Sequence, residues 1–122
     1  MITEQQLLDF MRESAYRPMT RQELQQHLGI GDADEYKQFL QMLVRLEQEG
    51  QVYRNRNDRY GVPERMNLIR GRLQAHPKGF GFLIPDDGEI ADLYIHANDL
   101  NGAMNGDIVL GRITGKNNGK LE

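Results

Sequence analysis

Two short aromatic runs hold most of the chemistry this sequence can do. Lys78-Gly79-Phe80-Gly81-Phe82-Leu83 sets two phenylalanines two residues apart behind a lysine, and Leu93-Tyr94-Ile95-His96 sets a tyrosine and a histidine at the same spacing. Strand side chains alternate between faces, so Lys78, Phe80 and Phe82 share one face while Gly79, Gly81 and Leu83 share the other. The lysine marks its face as solvated, and the glycines remove bulk from the inner side, which lets a barrel strand coil tightly. The same alternation turns Leu93 and Ile95 inward and Tyr94 and His96 outward. In the run Ile69–His76 it turns Ile69, Leu73 and Ala75 inward and Arg70, Arg72 and Gln74 outward. If these three strands are neighbours, one outer surface collects Arg72, Gln74, Lys78, Phe80, Phe82, Tyr94 and His96. Every nucleobase has a π-face, so rings with cationic edges suit a single strand, at roughly 1–3 kcal/mol per stacked base, whereas duplex bases are already stacked. The blander reading packs Phe80 and Phe82 under a loop or against the helical half, leaves Tyr94 as a half-buried strand residue and gives His96 no role.

Other chemistries are poorly supplied. There is no cysteine, and Ser14 is the single serine, so the common nucleophiles are nearly absent. His27, His76 and His96 stand apart without zinc-ligand spacing. Asp32–Glu35 lacks the glycine and the terminal glutamate of a calcium loop, and Asp86, Asp87, Glu89 and Asp92 read as an acidic turn in water. Gly79-Phe80-Gly81 lacks the further glycine and helix start of a phosphate loop. No catalytic residue, metal or cofactor is therefore expected in these 122 residues. No apolar run reaches the length of a membrane span, and the N-terminus lacks a signal-peptide pattern, so a soluble cytoplasmic protein with no membrane partner is the expectation.

The net charge of −3 looks wrong for a nucleic-acid binder until it is resolved along the chain. Residues 1–50 hold five basic and nine acidic side chains, residues 51–80 hold seven and two, and residues 81–122 hold three and seven. A basic segment thus lies between two acidic ones, and phosphate attraction follows local potential rather than the total.

The elements that must position these residues fall into two halves. Thr3 with Gln6 and Thr20 with Glu23 read as capping boxes, and Asp32 with Glu35 as an acidic variant of one, opening three helices. Gly29 and Gly50 follow the second and third, and Pro18 separates the first two. Leu7, Leu8, Met11 and Ala15 form one stripe; Leu24 and Leu28 a second; Tyr36, Phe39, Leu40, Leu43, Val44 and Leu46 a broad third. Gln51–Arg56 and Arg59–Val62 then read as a hairpin turning at Asn57-Asp58. Three helices and a hairpin give the order of a winged helix-turn-helix over residues 1–62. After a connector at 63–68, strands are expected at Ile69–His76, Phe80–Pro85, Asp92–His96 and Asp107–Thr114, a small barrel over residues 69–114. Gly115–Glu122, polar and glycine-rich, reads as a flexible tail of a chain that continues further. The fold class is α+β, a winged helix-turn-helix followed by a small β-barrel.

The two aromatic runs resemble the paired RNA-binding motifs of cold-shock domains. Together with Pro63-Glu64-Arg65-Met66-Asn67-Leu68-Ile69-Arg70-Gly71 and Asn105-Gly106-Asp107-Ile108-Val109, they closely resemble the start of the bacterial ribonuclease R family, over nearly the whole chain. The resemblance implies a winged helix and a cold-shock-like OB-fold. It implies RNA contact at Lys78, Phe80, Phe82, Tyr94 and His96, and further cold-shock, catalytic and S1 domains downstream. In that family the catalytic domain is a hydrolytic 3′→5′ exoribonuclease that uses a divalent metal such as Mg, and its aspartates lie outside this chain. The sequence departs from cold-shock proteins in having no tryptophan and in placing Ala97 where another aromatic follows the histidine. Both departures shrink the platform and imply weaker binding.

Two alternatives stand beside RNA capture. One is a DNA-binding regulator. The third helix opens with Asp32, Asp34 and Glu35, which would meet phosphates unfavourably, yet Arg54, Arg56 and Arg59 surround the hairpin turn and could touch a phosphate backbone. The other is a protein-interaction module, a docking arm for a ribosome or helicase.

Overall fold

The computed structural model describes residues 2–122, and residue 1 of the expected helical half lies outside it. The chain divides into two compact units, Met1–Met66 and Asn67–Glu122.

In the first unit three helices, α1 (Glu4–Arg12), α2 (Arg21–His27) and α3 (Ala33–Gln48), precede a short hairpin of β1 (Tyr53–Arg54) and β2 (Tyr60–Gly61). The order is compatible with a winged helix-turn-helix. Thr3 completes a capping box with Gln6, each side chain meeting the other's backbone N–H. The other two caps are simpler than expected. The Thr20 hydroxyl accepts from the Glu23 N–H but donates to the Glu23 carboxylate, and Asp32 accepts from Asp34 rather than from Glu35. Leu7, Met11, Leu24, Phe39, Leu43 and Leu46 are almost completely buried together, which follows the helical spacing of the apolar residues. Two expected stripe members are not there. Ala15 is exposed because α1 stops at Glu13, whose extended backbone swings Tyr16 into the core instead. Val44 is 52% exposed on the outer side of α3.

Tyr16 ties the helical unit to its hairpin. Its hydroxyl donates to the Tyr60 carbonyl at 2.7 Å and accepts from the Met19 N–H at 3.2 Å. Burial pushes its phenol up to about 12, with Glu23 adding to the rise and the Met19 hydrogen bond opposing it. The hairpin turn is wider than the expected two-residue one. Asn55 donates to the Arg59 carbonyl, its side-chain oxygen accepts from Asn57 and Arg59, and Asp58 sits at φ +57°. Asparagine and aspartate tolerate that left-handed geometry and so support a three-residue loop.

The second unit is a closed five-stranded barrel. Its strands are β3 (Ile69–Ala75), β4 (Gly81–Pro85), β5 (Leu93–Ile95), β6 (Ile108–Gly115) and β7 (Asn118–Leu121), in the order β3-β4-β5-β7-β6, with β6 returning to β3. All neighbours are antiparallel except β5 and β7, which run parallel. This is an OB-type barrel, and with the helices it makes the chain α+β.

The expected flexible tail at 115–122 is wrong. Residues 118–121 are the strand that closes the barrel, joined to β6 by a two-residue turn at Lys116-Asn117 with Asn117 at φ +60°. The cause lies in the inner positions of β7, which are Gly119 and Leu121. A Cβ on Gly119 would stand 2.8 Å from the Arg112 carbonyl oxygen, so the barrel admits no side chain there and the hydrophobic alternation that marks a strand is missing. Leu121 joins Leu73, Leu83, Leu93, Ile95 and Val109 in the barrel core.

Candidate nucleic-acid interface

The outer face of β3, β4 and β5 is laid out by register. Gln74 pairs with Phe82, and Phe82 with Tyr94, so one row of outward side chains crosses three strands. Arg72 pairs with Ile84 in the neighbouring row. The inner side holds Gly71, Leu73, Gly81, Leu83, Leu93 and Ile95, all buried. One of these positions must be glycine for the strands to coil this tightly. A Cβ on Gly71 would lie against the Ile84 carbonyl oxygen, a backbone atom, whereas one on Gly111 of the neighbouring β6 would press only on a movable Leu83 methyl.

Phe80, Phe82 and Tyr94 come together as one ring cluster. Phe80 and Tyr94 lie 5.3 Å apart at 36°, Phe80 and Phe82 meet edge-on at 5.9 Å, and Phe82 and Tyr94 meet edge-on at 6.0 Å. These separations fall in the range where aromatic quadrupoles attract, so the rings hold each other in place. All three are half-buried, with the barrel core behind them.

The remaining expected residues stand around this cluster. Lys78 is exposed at the β3–β4 turn, and its ammonium has no ion pair among the described residues. Arg72 is exposed, with its guanidinium donating to the Gly106 carbonyl at 2.7 Å, so it is held along the barrel wall with no acidic partner among the described residues. Arg70 pairs with Asp86. His96 follows β5, and its Nδ1 accepts from the Asn98 N–H at 3.0 Å, where it caps a short 3-10 helix at Ala97–Asp99. That bond gives His96 a local structural job and fixes its ring beyond the end of the strand.

One ring escaped the sequence reading. His76 lies parallel to Phe80, centroids 4.3 Å apart at 12°. The period-two rule that placed Arg70, Arg72 and Gln74 outward leads to His76 as the next outward residue, and this was the signal that could have found it.

In the hairpin of the first unit, two of the three arginines already have partners. Arg54 approaches Glu47 at 3.5 Å and Asp58 at 3.8 Å, and Arg59 approaches Glu23 at 3.0 Å while also donating to the Pro18 carbonyl. The exposed Arg56 side chain has no such partner among the described residues. Among the described residues no three or more His, Asp or Glu side chains converge as metal ligands would, and no helix is long and apolar enough to cross a membrane.

Residues 71–122 match the ribonuclease B OB domain family. Across 99% of its length the chain is 34% identical to a ribonuclease R of Acidithiobacillus ferrooxidans, covering 27% of that protein. It is 31% identical over 99 residues to ribonuclease R of Escherichia coli K12, covering 12% of it, and 27% identical over 106 residues to ribonuclease R of Vibrio parahaemolyticus, covering 13%. The chain therefore spans about a quarter or less of the length of these relatives. Residues 71–122 thus match an OB domain of the ribonuclease B type, and the chain as a whole is similar to part of ribonuclease R.

Proposed function

We propose that the outer face of β3–β5 captures single-stranded RNA by stacking bases on Phe80, Phe82 and Tyr94. The strand would then be guided toward the 3′→5′ exoribonuclease domain, with its divalent metal, that ribonuclease R-like proteins carry. The observation that carries this reading is the cluster of three outward rings within 6.0 Å of one another on a solvated barrel face. A core explanation fails for them, because the inner positions of the same strands already fill the barrel. Lys78 and Arg72 supply positive charge at the cluster's margin, Gln74 an amide beside Phe82, and His96 a ring nitrogen at the far end. An RNA end must be single-stranded to enter a narrow catalytic channel, and a stacking face binds only unpaired bases, so capture and strand separation act in the same direction.

The test is a titration of labelled single-stranded RNA by fluorescence anisotropy, comparing the chain with its Phe80→Ala/Phe82→Ala variant at two salt concentrations. Loss of at least about tenfold in affinity, with salt-sensitive binding throughout, is expected. Equal binding by both proteins would move the interface to Arg56 and its neighbours in the hairpin.

A second reading, a protein-docking role for the helical unit, draws on a different observation. Tyr36, Leu40 and Val44 line a shallow concavity along α3, edged by Lys37 and Gln41, and Val44 is half exposed. An apolar helix face behind an acidic N-terminus suits a protein surface, such as a ribosome or helicase component, better than a DNA groove.

A further inference from the structure

We propose that His76 is a base-stacking residue, the outer end of the ring ladder. The inference rests on the single-strand reading above and adds a contact that neither aromatic run contains. Two rings 4.3 Å apart and 12° from parallel overlap face to face. One face of Phe80 is therefore already covered, and a base approaching from the β3 side meets His76 instead. The residue is exposed, so its other face is open to solvent.

The ring is held there by its own turn. The His76 N–H donates to the Phe80 carbonyl at 2.8 Å, and Gly79 donates back to the His76 carbonyl at 2.9 Å, with Gly79 at φ +103°. The imidazole Nδ1 accepts from the Lys78 N–H at 3.1 Å. An exposed side chain would normally lose conformational freedom on binding, whereas this one is oriented in advance. With Nδ1 accepting, the neutral ring carries its proton on Nε2, leaving a donor at the outer edge for a base carbonyl or a phosphate oxygen. The ligand this end would take is one unpaired nucleobase, in continuation of those on Phe82 and Tyr94.

The experiment separates the ring from the turn. In His76→Asn the amide oxygen can still accept from Lys78, so the turn survives and the ring is lost. In His76→Phe the ring survives and the acceptor is lost. Anisotropy titrations of a labelled decauridylate with both variants, the parent and Phe82→Ala are compared, with thermal melts confirming that each is folded. His76→Asn is expected to weaken binding by about fivefold and His76→Phe to stay within about twofold of the parent. Parent-like or tighter binding by His76→Asn would overturn the proposal, the tighter case showing that the imidazole merely occupies a base's place on Phe80. Equal losses in both variants would overturn it too, by assigning the effect to the nitrogen edge. Phe82→Ala distinguishes the levels. If it weakens binding while His76→Asn does not, only this inference falls; if it also binds like the parent, the stacking reading falls with it.

Discussion

Replacing Leu121 by alanine tests whether residues 118–121 close the barrel. Leu121 is 6% exposed in a core of six side chains, so the substitution removes three buried carbons at ~0.8 kcal/mol each and leaves a cavity. Measured Leu→Ala losses in such sites run about 2–5 kcal/mol. The unit Asn67–Glu122 is small, and at about 0.05–0.15 kcal/mol per residue its entire stability is roughly 3–8 kcal/mol. The change therefore removes a large share of it. With a urea dependence near 1 kcal/mol per molar for so small a unit, the midpoint should fall by about 2 M or more. The fall should be confined to this unit. Urea titration followed by two-dimensional NMR reads it directly, with amides of β4 and β5 moving and those of α3 serving as the internal control. RNA affinity should drop as well, because β5 carries Tyr94 and is flanked by β7. A midpoint shift below about 0.5 M would refute the argument and restore the flexible tail.

Four further outcomes follow from the geometry. Gly71→Ala should destabilise the barrel by about 1–3 kcal/mol by chemical denaturation, since the new Cβ would press on the Ile84 carbonyl, a backbone atom that cannot turn aside. Lys78→Ala should weaken RNA of every sequence alike and lower the slope of log affinity against log salt by about 0.7. Arg56→Ala should affect binding more than Arg59→Ala, whose guanidinium is already shared between Glu23 and Pro18; titrations of both variants decide it. Tyr16, raised to about 12 when folded, favours the native state fully below the ordinary phenol value near 10. Its contribution, of order 2–3 kcal/mol, should be lost as pH climbs from about 10 to 12, and Tyr16→Phe should flatten that alkaline loss in melts of the helical unit.

The sequence made the interface legible wherever period two had large residues to act on. Phe80, Phe82, Leu83, Leu93, Tyr94 and Ile95 stand on the faces their alternation assigns. The helix starts were legible because Thr3 and Thr20 sit where a hydroxyl can reach a free N–H. What escaped lay where glycine or chain reversal hides the period. Gly119 leaves β7 with one large apolar residue, and the early end of α1 replaces Ala15 by Tyr16 in the core. His76 closes the expected strand at 69–76 on its outward side, and escaped because a histidine before a proline turn carries no aromatic-pair spacing. His96 was read for its outward face, and its role as a cap depends on a turn that periodicity does not register.

The parallel pairing of β5 with β7 has a consequence for how the domain comes into being. β3, β4 and β5 form a continuous antiparallel run, so the face that carries the rings can assemble from residues 69–95 alone. Its two outer edges must wait for β6 and β7, which pair with β3 and β5 from further along the chain. During synthesis from the N-terminus, the ring-bearing strands emerge with both edges unsatisfied; the β3 edge waits for β6 at 108–115 and the β5 edge for β7 at 118–121. A translational pause between residues 95 and 108 would hold the domain at its most adhesive stage, with a finished aromatic face beside two open strand edges.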